Sequence, residues 1–440
     1  MTKGEIAKNA LSRRAKTIMQ LRGGMPWMTF LLFISLTFSF FSCSGESEDV
    51  DDINKQTVLV FMPWSGTRTS QGLYNYFQQN LDSIESAIKK QGAMSGRVLV
   101  FLSTTADSSR LYEITYQNRQ IQHTLLRRYD GNLYTTAEGI AQILYDVQTE
   151  AFALNYAMII GCHGSGWTYK DDWDNYPYRS KQHPYFYTGE MSAAKSAKVS
   201  TSPYPTTRFY GSVNDKNYAT DISVLAQGIR GAGIKMQYIL FDDCYMANVE
   251  TAYELRDVTN FLIGSASEVM AQGMPYQTMW ASLATPTPAY ATAVSAFNTF
   301  YTNYQTSLGV LSTSNISAID CRKLDRLAEQ MRLINQNYTL PDSLVDSLQV
   351  LDGFLEPIFY DMGDYVSHLC KNTDLLNDFN ATLTQVIKSS ANGDSIYSYL
   401  YGYPKFVRVN HFSGLTISDP SRSSVALKGR GKTAWWRDTH

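Results

Sequence analysis

From residue 57 onward, short apolar runs of strand length alternate with stretches whose apolar residues recur three and four positions apart. Residues 57–62 (TVLVFM) and 97–102 (RVLVFL) are nearly unbroken and rich in β-branched side chains, as strands buried on both faces are. Between them Phe77, Leu81, Ile84 and Ile88 recur at helical spacing. Residues 111–126 alternate more loosely and read as a hairpin or edge strands. Thr135 and Glu138 stand at capping-box spacing before a helix whose apolar face is Ile140, Ile143, Leu144 and Val147. A strand running into His163 follows. Ile222, Leu225, Ala226 and Ile229 then mark a helix stopped by Gly231 and Gly233. A strand running into Cys244, a helix over 246–255 and a strand over 260–264 complete the pattern. This alternation predicts an α/β fold with a mostly parallel sheet covered by helices on both faces.

Two regions stand apart. Residues 168–219 are rich in Tyr, Pro, Ser and Lys with almost no periodicity, an interruption long enough to carry function of its own. Past residue 275 the pattern turns helical, over 279–305, 322–337 and 344–375, with strand-like pieces at 406–409 and 414–418. The expected organisation is therefore an α/β domain over 56–275 with an insertion at 168–219, and a helical and small-strand region over 276–440 packed on it.

The N-terminus has a different character. Residues 1–42 carry six basic residues against Glu5, a net of +5; without them the formal charge of −2 becomes −7. Such a mildly acidic body gives no electrostatic footprint for nucleic acid. The basic leader precedes an uncharged run whose apolar heart is 27–41, the order found in secretory signals. That run is short and Ser/Thr-rich for a spanning helix. It ends in Phe40-Phe41-Ser42-Cys43, which resembles a bacterial lipobox with Cys43 as the lipidated residue, and the acidic, apolar-poor segment behind it suits a tether. The expectation is a signal peptide over 1–42, a lipid-anchored tether over 43–55 and an exported lipoprotein facing outward from a Gram-negative cell. A stray thiol at the end of an ordinary signal is the plainer reading of Cys43.

Four cysteines remain, at 162, 244, 321 and 370, without a CxxC pair or zinc spacing. Cys162 and Cys321 end apolar runs and read as buried thiols. Cys244 has a chemical setting: it follows Asp242 and Asp243 at the end of one strand, while His163 ends another and is followed by Gly164-Ser165-Gly166. In an open α/β sheet the carboxyl ends of neighbouring strands line one crevice. A thiol there becomes a nucleophile when an imidazole takes its proton or holds it as a thiolate. The backbone N–H groups of Gly164 and Cys244 suit the oxyanion, since glycine permits close approach and a helix following Cys244 would aim its N-terminal donors at the crevice. Taken singly, a histidine or cysteine at a strand end serves as readily as a structural group; the pairing points to a Cys/His hydrolase.

These two stretches, with Met246 and Glu250, resemble the clostripain family of cysteine peptidases, of the caspase-like clan. The similarity extends to Gly264-Ser265-Ala266-Ser267-Glu268, Gly273-Met274-Pro275-Tyr276, Asp361-Met362-Gly363-Asp364-Tyr365 and residues 412–417, and so spans about 56–440. The resemblance implies a caspase-like αβα sandwich with a mostly parallel central sheet and a helical C-terminal extension. It implies a dyad of His163 and Cys244, a thioester acyl-enzyme and cleavage of peptide or protein substrates after Arg or Lys. Asp242 would lie at the base of the specificity pocket; the competing reading makes Asp242 the cap of the following helix, a place that Asp243, immediately before the cysteine, fits better by position. Family members mature by cleavage between the two catalytic residues, and there the chain offers Lys170, Arg179, Lys181, Lys195, Lys198 and Arg208. The flexible composition of 191–200 makes Lys195 and Lys198 the first candidates. Cys162 departs from the polar residue often found before the histidine, so something else must orient His163.

No cofactor is expected. Calcium serves some relatives, but Asp171, Asp172 and Asp174 do not match an EF-hand loop, and no metal site is assigned. The chain is expected to be a monomer that meets membrane only through its lipid anchor. The alternative is a non-catalytic surface lipoprotein that binds glycan or protein through a degenerate peptidase fold, for which 30 tyrosines and seven tryptophans supply aromatic surface. Ser165 as a nucleophile fits poorly, because its flanks do not form G-x-S-x-G.

Overall fold

Strand β1 (Gln56–Met62) lies inside a nine-stranded sheet, and the elements that follow wind outward from it. The computed structural model describes residues 53–69, 71–173, 208, 215–306, 309–400 and 404–440. Helix α1 (Tyr74–Gln91) leads to β2 (Arg97–Thr105), parallel to β1. A hairpin of β3 (Ser108–Gln117) and β4 (Gln120–Asp130) closes that edge. Its two turn residues, Asn118 and Arg119, have φ of 52° and 63°, the left-handed geometry that two-residue hairpins need. Helix α2 (Ala137–Glu150) then carries the chain back to β5 (Asn155–Gly161) on the other side of β1. Helix α3 (Ile222–Gly231), β6 (Met236–Asp242), α4 (Val249–Leu255) and β7 (Phe261–Gly264) extend the parallel sheet.

Alternate residues of the central strands feed two separate cores, which makes the fold a three-layer αβα sandwich. Leu59, Phe61, Met158, Ile160, Ile239 and Phe241 pack with α2, α3 and α4. Val58, Val60, Ile159, Tyr238 and Leu240 pack with the apolar stripe of α1 and with α5 (Tyr276–Leu283) and α6 (Tyr290–Thr302). The predicted fold class stands.

Several boundaries differ from the sequence reading. The helix α2 is capped by Thr136, not Thr135; the Thr136 side chain accepts from Gly139 N while Thr135 ends a 3-10 turn. The expected helix over 279–305 is two helices, α5 and α6, because Pro286 and Pro288 stand between them and cannot continue a helical ladder. The stretch 344–375 is likewise broken, with helices at Met362–Leu369 and Thr373–Val386 and a single turn at Asp342–Val345. Two strands of the central sheet went unread: β8 (Asn315–Asp320) and β9 (Ile387–Asn392), which pair antiparallel beyond β7. Residues past 275 thus add strands to the central sheet itself. Asn54–His440 clusters as one unit. Among the described residues no helix is long and apolar enough to cross a membrane.

Candidate active site

Strands β5 and β6 run parallel with Gly161 opposite Asp242, so His163 and Cys244 each stand two residues beyond that pair. The strand order reverses between β1 and β5, and the carboxyl ends there open a crevice. The two turns beyond the strands touch. Asp243 Oδ1 accepts a 2.6 Å bond from Cys162 N, and a Cβ on Gly164 would lie 2.4 Å from the Cys244 carbonyl oxygen. Only glycine permits that approach.

His163 is buried, and its Nδ1 bonds the backbone carbonyl of Arg208. A carbonyl only accepts, so Nδ1 carries the proton and Nε2 keeps its lone pair. Burial, with the nearby Arg208 charge, pushes the imidazole down to about 3, leaving it neutral near pH 7. This is the orienting partner that Cys162 does not provide, and it comes from the insertion.

Cys244 is fully buried. Its sulfur accepts from Val269 N at 3.2 Å and stands 3.7 Å from Val269 O. Burial, reinforced by Glu268, raises the thiol well above its ordinary range. Both shifts favour a neutral thiol and a neutral imidazole, and so, of the two options the sequence left open, the one in which the imidazole takes the thiol proton. Tyr245, the next residue, has φ of 63°, a conformation uncommon outside glycine, and stacks on Phe359 at 4.9 Å.

The chain turns sharply here and α4 starts only at Val249. Asn248 caps it, its side chain accepting from Thr251 N. The expectation that Asp243 is the cap, and that a helix beginning right after Cys244 supplies donors, is corrected: Asp243 instead ties the His163 and Cys244 turns together. Burial pushes its carboxyl up to about 8 against the pull of Arg208. Glu250 has a structural role, accepting from Ser418 N at 2.7 Å.

Asp242 is wholly buried on the α1–α5 side of the sheet and faces Arg208, whose Nη1 lies 3.1 Å from Asp242 Oδ2. Met274 N donates to Asp242 Oδ1 at 2.9 Å and the Tyr276 hydroxyl to Oδ2 at 2.8 Å. Burial pushes this carboxyl up, while the guanidinium and the two hydrogen bonds pull it down. With three donors aimed at its oxygens it is a carboxylate holding a charged arginine. Arg208 is itself fully buried, its backbone N donating to Val269 O at 2.7 Å. Gly273, at φ of 74°, forms one wall: a Cβ there would stand 2.1 Å from Arg208 Nη2.

On the opposite, α2–α3 side of the sheet, His163, Cys162 and Asp243 line a cleft of about 740 Å³, open space included. Thr168 and Lys170 at one foot of the insertion, and Tyr218 and Ala219 at the other, line it too. Lys195, Lys198 and Cys43 lie outside the described residues. Among the described residues no group of three or more His, Cys, Asp or Glu side chains could hold a metal ion. Asp171 pairs with Lys216 at 3.1 Å, and Asp172 with Lys432; Asp174 lies outside the described residues.

Sequence reasoning did not single out Arg208, Asn80, Gly273 or Val269. Asn80 had a signal: it is the polar residue on the stripe formed by Phe77, Leu81, Ile84 and Ile88. Gly273 and Tyr276 belonged to a matching motif, without a role. Arg208 was one of six basic candidates in the insertion.

Residues 205–424 match the clostripain family of C11 peptidases, half of the chain. A secreted C11 cysteine protease from Bacteroides thetaiotaomicron, "iotapain", is 39% identical with a TM-score of 0.74, over 88% of this chain and 99% of that one. An inactive zymogen C11 protease from Parabacteroides distasonis (23% identity, TM-score 0.67) covers the same shares. So does a secreted C11 cysteine protease from B. thetaiotaomicron bound to an irreversible peptide inhibitor (18%, TM-score 0.67). These last two share the fold. No curated protein sequence matches the chain.

Proposed function

Because this chain belongs to the clostripain family of cysteine peptidases, we propose that it is an endopeptidase that cleaves after arginine or lysine through Cys244 and His163, and that it first cuts itself after Arg208. One observation carries the reading: a fully buried arginine from the segment between the two reactive residues pairs with the carboxylate two residues before the cysteine. Water is excluded there, so the pocket selects strongly for a basic side chain.

The chemistry follows from the tautomer. His163 Nε2 takes the Cys244 proton as sulfur attacks the scissile carbonyl carbon. The N–H groups of Gly164 and Cys244 stabilise the oxyanion. Collapse breaks the C–N bond, the leaving amine takes the proton from His163, and a thioester remains. Water, deprotonated by His163, then releases the carboxylate product and restores the thiol.

The intact chain is dormant in this reading. Arg208 fills the pocket, its carbonyl engages His163 Nδ1, and the thiol faces Val269. Self-cleavage needs that carbonyl to swing onto the oxyanion donors and the sulfur to turn toward it. Lys195 and Lys198 give way to Arg208 as the first candidate. Export through a signal peptide, with lipidation at Cys43 and a tether to residue 55, remains part of the proposal; a lipid label lost in Cys43→Ala tests it.

The test of the function is intact-mass analysis together with peptide hydrolysis. Wild-type chain should yield two fragments ending and beginning at the bond after Arg208, and then hydrolyse peptides after Arg or Lys. Cys244→Ala chain should do neither. Wild-type protein inactive on basic peptides, or activity retained in Cys244→Ala, would contradict the reading.

A further inference from the structure

Arg208 shows how a peptide lies across the two reactive residues. Its side chain reaches to the α1–α5 side of the sheet, where Nη2 donates to Asn80 Oδ1 at 2.5 Å. Its carbonyl meets His163 Nδ1, so the bond that follows departs beside the histidine. The described chain resumes at Asp215, which caps the turn Lys216–Tyr218, and the Thr220 hydroxyl ties that end to Tyr134 O at 2.9 Å. Tyr134 and Tyr218 both line the cleft of about 740 Å³, open space included, to which His163 also belongs. Polypeptide continuing from the Arg208 position is therefore directed to this cleft.

Apolar side chains make most of the cleft surface. Phe61 and Ile160, partners across β1 and β5, line it together with Leu225 and with Ile222, the first residue of α3. Its charged groups are tied to its own walls: Lys170 Nζ donates to Ala219 O and Lys170 N to Asp221 Oδ1, both at 3.0 Å. Burial raises the Asp221 carboxyl and pushes Asp243 up to about 8, so charge is costly in this space.

We infer that the cleft beside His163 takes the side chain immediately after the scissile bond, and that it selects an aromatic or large aliphatic one. The inference rests on the proposed function, taking Arg208 as the stand-in for the arginine of a substrate. In an extended chain, neighbouring side chains point to opposite faces. With the arginine committed to the α1–α5 side, the next side chain is aimed at the α2–α3 side, where the cleft lies. The chain's own sequence fits the rule, since Phe209 follows Arg208. Glycine in that place leaves the cleft unfilled, and aspartate must bring a charge into it.

The experiment measures kcat/KM of the self-processed full chain on internally quenched peptides that differ only in the residue after a cleaved arginine: Phe, Leu, Gly or Asp. Wild-type enzyme should cleave the Phe and Leu peptides about tenfold to 100-fold faster than the Gly peptide, the range expected for burying one such side chain. The Asp peptide should be slowest. Ile222→Trp sets an indole into the cleft and should draw the Phe:Gly ratio toward unity, chiefly through slower cleavage of the Phe peptide. Equal cleavage of the Phe, Gly and Asp peptides by wild-type enzyme would overturn the inference without any variant. A Phe:Gly ratio unchanged in Ile222→Trp would overturn it as well, since the preference would then arise elsewhere. Cleavage of none of the four peptides by wild-type enzyme would instead defeat the underlying function.

Discussion

Arg208 and Asp242 form an ion pair from which both side chains are completely withdrawn from solvent, with 3.1 Å between Nη1 and Oδ2. Burying two charges is costly, and breaking such a pair by neutralising one partner leaves the other uncompensated. In the uncut chain Asp242→Asn should therefore destabilise the fold by about 3–5 kcal/mol, read from thermal or denaturant unfolding. Hydrolysis of Arg and Lys peptides should fall by more than about tenfold. A variant that keeps both its stability and its basic preference would remove Asp242 from the pocket.

Gly273 gives an independent handle on the same pocket. Alanine there must hold φ of 74° and set a methyl group 2.1 Å from Arg208 Nη2 and 2.4 Å from Asp242 Oδ1. A displacement of that size at a reacting complex costs on the order of 100-fold in rate. Gly273→Ala should lower kcat/KM on Arg peptides by about that factor; wild-type rates would show that substrate arginine does not enter between Gly273 and Asp242.

His163 should report whether Arg208 is docked. Its pKa, about 3 in the intact chain, lies below the ordinary 6.5 through burial and then through the Arg208 charge. A depressed histidine pKa means that the folded, docked state binds fewer protons than the open one. Its contribution to stability is thus complete above the ordinary value and drains away as pH falls toward 3. In uncut Cys244→Ala chain the His163 ring-proton resonance should show a neutral imidazole from pH 8 down to about 4. In processed wild-type enzyme its midpoint should move up toward the ordinary value, and an identical titration in both forms would contradict docking.

Glu250 and Asp419 carry the opposite pH signature. Burial, with Asp419 close by, pushes Glu250 up to about 8, and its Oε2 has no hydrogen-bond partner among the described residues. A raised carboxyl pKa adds stability that is complete below its ordinary range and is lost as pH climbs toward 8. Glu250→Gln keeps an acceptor for Ser418 N and removes the titration. Relative to wild type it should gain about 1–3 kcal/mol between pH 4 and pH 8 in unfolding experiments. Parallel pH–stability curves would show that Glu250 is not the titrating group.

The frame of the molecule was legible because its central strands are unbroken apolar runs and its main helices keep strict spacing. Residues 57–62 and the runs into His163 and Cys244 read as buried strands, and the nearness of His163 and Cys244 at neighbouring strand ends followed from the topology rule. The strands β8 (NISAID) and β9 (IKSSAN) escaped because polar residues interrupt their short apolar pattern; pairing within the sheet, not composition, makes them strands. The start of α4 escaped because two acidic residues before Cys244 resemble a cap, whereas contact between the turns claims Asp243 and leaves Asn248 as the cap.

Within the site, His163, Cys244, Gly164 and Asp242 could be named from strand ends and motifs. Arg208 could not, since nothing local distinguishes it from the other basic residues of the insertion; flexible composition pointed to Lys195 and Lys198 instead. What singles out Arg208 is long-range, its bonds to Asp242, Asn80 and Ala271 and to His163. Asn80 was within reach, because a polar residue on an otherwise apolar helical stripe needs a buried partner.

The central claim is that Cys244 is the nucleophile of a site that reads a basic side chain through Asp242. Covalent labelling tests it most directly: self-processed enzyme is treated with a peptidyl-arginine acyloxymethyl ketone, and the modified residue is located by peptide mapping. The account requires one adduct, on Cys244, formed far more slowly by a leucine analogue, and slowed by His163→Ala or Asp242→Asn. An adduct on another residue, or equal labelling by the arginine and leucine reagents, would contradict it.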